Sequence, residues 1–199
     1  MKLDLRFTAR PMEELWCRTV AALVFQDSIR KANGISGLNA KTSGYIEHLS
    51  EKGFWKGAAG DTLLVASQGM IKAKKILLVG LGAYSDYSIE FFMKTIEKIS
   101  LTLDKMGDND IGIQIPALTG IDSEYPSLLE AACKDFVNIF FVRHKAEPDF
   151  LLKIIFSVSA EYIAALETTV QYLKKHFVSQ LDDTIILAEQ NVLKPAGMI

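Results

Sequence analysis

Cysteine is scarce in this chain. Cys17 and Cys133 are the only two in 199 residues, too few for a disulfide framework or a cysteine-rich zinc site, and a reduced setting is expected. Histidine is equally thin. His48, His144 and His176 stand in separate segments, without the paired spacing that metal ligands adopt. No apolar run reaches the length that spans a bilayer, and the opening MKLDLRFTARPMEELW has no signal-peptide core. A cytoplasmic location without membrane contact is therefore expected. No charge of one sign dominates: 22 basic residues face 24 acidic ones for a net charge of −2, which removes the global field that draws proteins to nucleic acid. The run KAKK at residues 72–75 is read as solvated lysines flanking a strand. Ser67, Ser85 and Ser123 lack the Gly-x-Ser-x-Gly elbow of a nucleophilic serine. Internal repeats and low-complexity segments are also missing.

What is present is core material. Hydrophobic residues make up 49% of the chain and the mean hydropathy is +0.18, enough for one buried core at this length. The chain is organised around residues 53–82, GFWKGAAGDTLLVASQGMIKAKKILLVGLG. There, DTLLVA (61–66) and KILLVG (75–80) read as two core strands joined by a hairpin-like connection, both covered on two faces. Upstream, residues 3–8 alternate like a half-exposed strand, 13–17 suit one helical turn, and 20–26 form a buried strand. Residues 27–37 read as a surface loop. A helix is expected over 38–52 with Gly53 as its cap.

Downstream, Ser88 is placed to cap a helix whose inward stripe is Phe92, Ile96, Ile99 and Leu103. Residues 111–116 read as a strand. Pro126 suits a first helical position, with Leu129, Ala132, Cys133 and Phe136 facing inward. Residues 138–142 (NIFFV) and 152–158 read as two more strands, and Ser159 as the cap of a long helix with Ile163, Leu166, Val170, Leu173 and Phe177 as its stripe. Residues 184–188 (TIILA) suit an extra strand. The fold class expected is α/β: a mixed, largely parallel sheet of six or seven strands between helices. One domain is expected over 1–180, with 181–199 as a C-terminal extension.

The stretch LNAKTSGYIEHLSEKGFWKGAAGDTLLV, followed by IKAKKILLVGLG, resembles the N-terminal domain of the leucyl aminopeptidase family. Leu38, Gly44, Leu49, Phe54, Gly57, Gly60, Asp61, Leu63 and residues 77–82 match the family pattern, while Asn39 replaces the usual Asp and Ala58 a frequent Lys. The resemblance covers residues 1–180 and implies a macro-domain-like three-layer sandwich. It also implies that the two-metal peptidase chemistry belongs to a C-terminal domain with the string Asn-Thr-Asp-Ala-Glu-Gly-Arg, which does not occur here. On that basis no catalytic residue, metal ligand or cofactor is expected in this chain.

One loop rises above the background. Pro116, Ala117, Leu118, Thr119, Gly120, Ile121, Tyr125 and Pro126 resemble the loop with which macro domains hold a diphosphate. A glycine-containing loop entering a helix offers free N–H groups to an anion, although Asp122 and Glu124 oppose one. The candidate ligand loop comprises Gly80, Leu81 and Gly82 together with Leu118, Thr119, Gly120, Ile121, Asp122 and Ser123. Gly80-Leu81-Gly82 alone is no dinucleotide fingerprint, for it lacks the third glycine and the distant acidic residue, and it reads as a tight strand-to-helix turn. Three functions stay open: a non-catalytic module acting through homo-oligomer or protein-partner contacts, a binder of a nucleotide or other small anion, and the N-terminal part of a metal-dependent aminopeptidase.

Overall fold

A computed structural model describes residues 1–29, 35–116, 124–181 and 183–189. In chain order the regular elements are β1 (Lys2–Thr8), β2 (Thr19–Phe25), α1 (Ser36–Lys41), α2 (Tyr45–Glu51), β3 (Thr62–Ala66), β4 (Lys75–Gly82), α3 (Ile89–Lys105), β5 (Asp110–Gln114), α4 (Tyr125–His144), β6 (Leu151–Ser157), α5 (Ala160–Ile163), α6 (Glu167–Val178) and β7 (Asp183–Glu189). The strands form one seven-stranded sheet in the order β3-β4-β2-β5-β6-β1-β7. Only the β3–β4 pair is antiparallel; every other pairing is parallel. The α/β, largely parallel sheet expected from the sequence is the one observed.

The period of two along a strand explains the three layers. On β2, Ala21, Leu23 and Phe25 enter the larger core, with Leu77, Val79 and Leu81 of β4 beside them. Val20, Ala22 and Val24 turn to the opposite face and join Ile76, Leu78, Leu38, Ile46 and Trp55. All seven residues of β2 are buried. The larger core is roofed by the stripes of α3, α4 and α6: Phe92, Ile96, Ile99 and Leu103; Leu129, Ala132, Cys133 and Phe136; Val170, Leu173 and Phe177. Ser88 caps α3 as expected, its Oγ accepting from the Phe91 N–H at 3.1 Å.

Four local expectations are corrected by the packing. Residues 138–142 are not a strand. They are the last part of the twenty-residue α4, because Phe136, Val137 and Phe140 extend the inward stripe with fully buried side chains, and helical spacing outweighs the β-propensity of NIFFV. β3 is not a two-sided central strand but the sheet's edge, its exposure alternating along TLLVA with Leu64 47% exposed. β1 is not half-exposed: it lies between β6 and β7, and its polar residues pair, Arg6 donating to both oxygens of Asp4 at 2.8 and 2.9 Å. The helix expected over 38–52 is two short ones, split where Ser43 and Gly44 take positive φ.

Two smaller differences follow. The turn expected over 13–17 is a 3-10 turn at Met12–Glu14. The long helix after Ser159 is divided into α5, a 3-10 turn (Ala164–Leu166) and α6, and Ser159 makes no side-chain cap. The inward stripe crosses both breaks, with Ile163, Leu166, Val170, Leu173 and Phe177 all buried. The residues expected as an extra strand, 184–188, lie in β7, parallel to β1.

Candidate functional site

In an open parallel sheet, ligands enter at the carboxyl ends of the strands, where loops of opposite winding part. Here that rim gathers the segments after β2, β4 and β5. Gly80 and Gly82 close β4, and the loop through Gly57 and Gly60 packs directly on them. The Gly80 N–H donates to the Asp61 carbonyl at 2.8 Å, the Gly60 N–H to the Gly80 carbonyl at 2.9 Å, and the Gly82 N–H to the Gly57 carbonyl at 3.0 Å. A Cβ at Gly80 would sit 2.1 Å from the Ala58 carbonyl oxygen, so no other residue fits without moving backbone. Leu81 is 2% exposed and belongs to the core. The amides of Gly80 and Gly82 therefore interlock two backbone segments, and these positions form a wall of the rim. Leu118, Thr119, Gly120, Ile121, Asp122 and Ser123 lie outside the described residues.

The flanks of that loop are firm. The Tyr125 hydroxyl, buried at the start of α4, donates to the Ile115 carbonyl at 3.0 Å, and its ring packs on Tyr162 with centroids 4.4 Å apart. Burial, helped by Tyr162 and Cys133, drives the Tyr125 phenol well above its ordinary range. Beyond β2, the Phe25 ring meets Tyr84 at 5.1 Å and Tyr87 at 5.8 Å, both edge-on. The Asp27 carboxylate accepts from the Tyr84 N–H at 2.9 Å. The Tyr87 hydroxyl is buried without a hydrogen-bond partner among the described residues, and burial followed by the neighbouring Tyr84 pushes its pKa up to about 12. The rim thus offers aromatic faces and carboxylates; Asp27, Asp86 and Glu124 set a field that works against an anion.

The isolated candidates for chemistry stay apart. His48 is exposed on α2, and His144 is held between Asp104 and Glu147 at 2.6 and 2.9 Å. His176 packs edge-on against Phe177. Among the described residues no three His, Cys, Asp or Glu side chains converge on a metal position. Cys17 and Cys133 are buried; burial is the chief cause that pushes Cys17 up to about 12 and Cys133 well above the thiol range. Ser67 is buried, and the Ser85 hydroxyl donates to Asp86 at 3.0 Å. No helix among the described residues is long and apolar enough to cross a membrane.

A second cluster, which sequence reasoning missed, lies at the opposite rim. Asp108 is fully buried and accepts from the Thr19 hydroxyl at 2.7 Å and from Lys75 Nζ at 2.8 and 2.9 Å. Arg18 donates to the Gly107 carbonyl at 3.1 Å and stands 3.7 Å from the same carboxylate. Gly107, at φ +67°, ends α3 and turns Asp108 inward. The partners of Asp108 come from two segments far from it in the chain, residues 18–19 and Lys75, so no local pattern announces them.

The three-layer α/β sheet with this glycine-locked rim defines a macrodomain-like protein. The Trypanosoma brucei macrodomain in complex with ADP matches at a TM-score of 0.61 with 15% identity, over 85% of this chain and 69% of that one. A mutant of tomato leucine aminopeptidase matches at a TM-score of 0.64 with 13% identity, over 87% of this chain and 35% of that one. In sequence, a probable cytosol aminopeptidase of Trichormus variabilis is 22% identical over 200 residues, covering 99% of this chain and 39% of the relative. The family model described as "Cytosol aminopeptidase family, N-terminal domain" matches residues 22–137. The chain therefore belongs to the cytosol aminopeptidase family and carries its N-terminal domain. It spans about two-fifths or less of the length of the curated relatives it matches.

Proposed function

We propose that this domain is a non-catalytic module that works in the cytosol through contacts with other copies of itself or with a protein partner. One observation carries the reading: both edges of the sheet are unpaired among the described residues and carry exposed aliphatic side chains. Leu64 on β3 is 47% exposed; on β7, Ile185 is 46% and Leu187 42% exposed. An open edge with apolar side chains is a template for another chain. Beside β7 a hollow of about 480 Å³ opens between α6 and the strand, floored by Val170, Ile186 and Ala188 and rimmed by Glu167 and Lys174. Light scattering tests the reading. The chain is expected to run above monomer mass at about 100 μM, and Leu64→Lys with Leu187→Lys to run as a monomer with an unchanged far-UV spectrum. A monomeric parent chain overturns self-association through the sheet edges and leaves only contact with a protein partner. The non-catalytic half is tested with leucine p-nitroanilide and added Zn²⁺ or Mn²⁺: no turnover above buffer is expected, and turnover by this chain refutes it.

A second reading, binding of a nucleotide or other small anion at the carboxyl rim, is favoured by the fold shared with a macrodomain in complex with ADP. Thermal shift with ADP and ADP-ribose decides it, since a ligand that binds only the folded state raises the melting temperature by mass action. No shift at millimolar ligand removes this reading. The longer curated relatives support a third: that this domain serves a metal-dependent aminopeptidase whose chemistry lies in another part of the protein. Whether a catalytic domain follows in the same gene settles that one.

A further inference from the structure

The amino-terminal rim of the sheet carries an exposed tryptophan with a lysine over its ring. Trp16 is 66% exposed while the other tryptophan, Trp55, is 3% exposed. Lys72 Nζ stands over the Trp16 ring, 4.7 Å from its centroid. Lys153 Nζ donates to the Trp16 carbonyl at 3.4 Å, which ties the residue to β6. The surrounding chain is stitched together: the Lys74 and Lys75 amides both donate to the Arg18 carbonyl, at 3.0 and 3.2 Å, and the Arg18 N–H donates to the Asp110 carbonyl at 2.9 Å. Lys72 thus covers the Trp16 ring and Lys153 meets its backbone, while Arg18, Lys74 and Lys75 belong to the chain segments stitched together beside it. Their acidic neighbours there are Asp108, fully buried under Lys75 and Arg18, and Asp110, 3.2 Å from Lys153 in an ion contact without hydrogen-bond alignment. Glu14, two residues before Trp16, is the exposed acid nearest in sequence.

Arg18 and Lys75 are taken up by Asp108 and Lys153 by Asp110, on a chain whose net charge is −2. Lys72 and Lys74 are exposed and have no acidic partner among the ion pairs of the described residues. Water would satisfy their ammonium groups equally well, so exposed charge alone does not mark a site. The ring changes the balance. A tryptophan held in place on its backbone side, with a cation already over one face, presents a preorganised apolar surface next to unspent positive charge. Tryptophan and arginine are the residue types that dominate binding energy at protein contacts, and an aromatic face with a cation beside it loses little entropy on docking.

We propose that this rim is a docking surface for an acidic protein segment bearing an apolar anchor residue, which packs on Trp16 while its carboxylates meet Lys72, Lys74 and Arg18. A peptide is favoured over nucleic acid because the exposed lysines without an acidic partner here are two, Lys72 and Lys74, beside one aromatic anchor, whereas a nucleic acid is held by a longer row of phosphate contacts. The surface rests on the reading of this domain as a contact module, but it is separate from the sheet edges.

The two tryptophans make the test direct: Trp16 reports the rim, and the Trp16→Phe variant supplies the background from the buried Trp55. An acetylated Glu-Leu-Asp-Phe-Glu-Asp peptide is titrated against the full chain, with the Gln/Asn version of the peptide and a single-stranded thymidine oligonucleotide as comparisons. Expected are a blue shift and protection of Trp16 from acrylamide with the acidic peptide. Affinity should fall at least about fivefold between about 0.05 and 0.3 M salt, and by a similar factor in Lys72→Gln with Lys74→Gln. Equal binding of the neutral peptide, tighter binding of the oligonucleotide, or no spectral change at millimolar acidic peptide overturns the proposal. Peptide binding by a chain that is monomeric in light scattering separates the two ideas: the sheet-edge reading then fails and the rim survives. The converse result fails the rim alone.

Discussion

The two rims of the sheet are built by different physics. At the carboxyl rim, Gly57, Gly60, Gly80 and Gly82 bring two backbone segments into direct contact, and three main-chain hydrogen bonds hold them. At the amino rim a single carboxylate, Asp108, collects Arg18 and Thr19 from one distant segment and Lys75 from another. Contacts of the first kind depend on the absence of a side chain, so they leave glycines in the sequence. Contacts of the second kind depend on charge meeting charge in three dimensions, and any surface aspartate or lysine looks the same from the sequence. The glycine rim has spent its amides on itself, whereas the charged rim keeps exposed cations around Trp16.

The sharpest way to break this comparison is Gly80→Ala. With a Cβ 2.1 Å from a carbonyl oxygen, the loop at 57–61 must move, and a loss of about 3 kcal/mol or more is expected in urea unfolding. A loss below 1 kcal/mol would mean that the interlock is loose. Next comes Asp108→Asn. The carboxylate is buried but Lys75 and Arg18 are one-third and one-half exposed, so water takes over part of their pairing and about 2 kcal/mol is expected rather than the full cost of a buried unpaired ion. An unchanged midpoint would show that the amino rim needs no ionic staple.

Tyr125→Phe is expected to cost about 1 kcal/mol, because it leaves the buried Ile115 carbonyl without its donor beside the candidate loop. If ligand binding at the carboxyl rim is real, the same variant should weaken it further than its stability loss explains, which isothermal titration would read.

The smallest effect concerns pH. Burial pulls the His144 pKa down, but hydrogen bonds to Asp104 and Glu147 and their charges outweigh it, and the net shift is upward. A folded value above the unfolded one of about 6.5 means that the stabilisation is complete below about pH 6 and fades as pH rises through the folded value. Denaturation of the parent chain at about pH 6 and pH 8, beside His144→Gln, is expected to show a fall only in the parent. A fall of equal size in both would assign the pH dependence to other groups. Arg143, which also pairs with Asp104, and the stacked Phe150 ring at 3.8 Å hold the imidazole in either state.

Much of the fold was legible, and the misses have common causes. The stripes of α3 and α6, the Ser88 cap and the buried β2 were read correctly because each depends on residues within a few positions of one another. Residues 138–142 were misread because Phe140, Phe141 and Val142 favour a strand locally, while Phe136 and Phe140, stacked 5.5 Å apart in the core, keep them helical. The candidate loop could be named at Thr119 and Gly120 from resemblance, and the glycines at 80 and 82 point to a tight turn at the end of β4, but their hydrogen bonds to the loop at 57–61 leave no trace in the sequence. The Asp108 cluster and the Trp16 surface could not be found, for their partners lie up to 137 residues apart.

Left to itself, the sequence determined most of the strands, the inward stripes of α3 and α6, and the family, since periodicity and glycine spacing are carried by near neighbours. Only the tertiary structure decided that β3 is an edge while β1 is buried, that Asp108 lies under two cations, and that Trp16 is exposed where Trp55 is not. Those properties belong to pairings between distant segments, whose energy exists only once the sheet has brought them together.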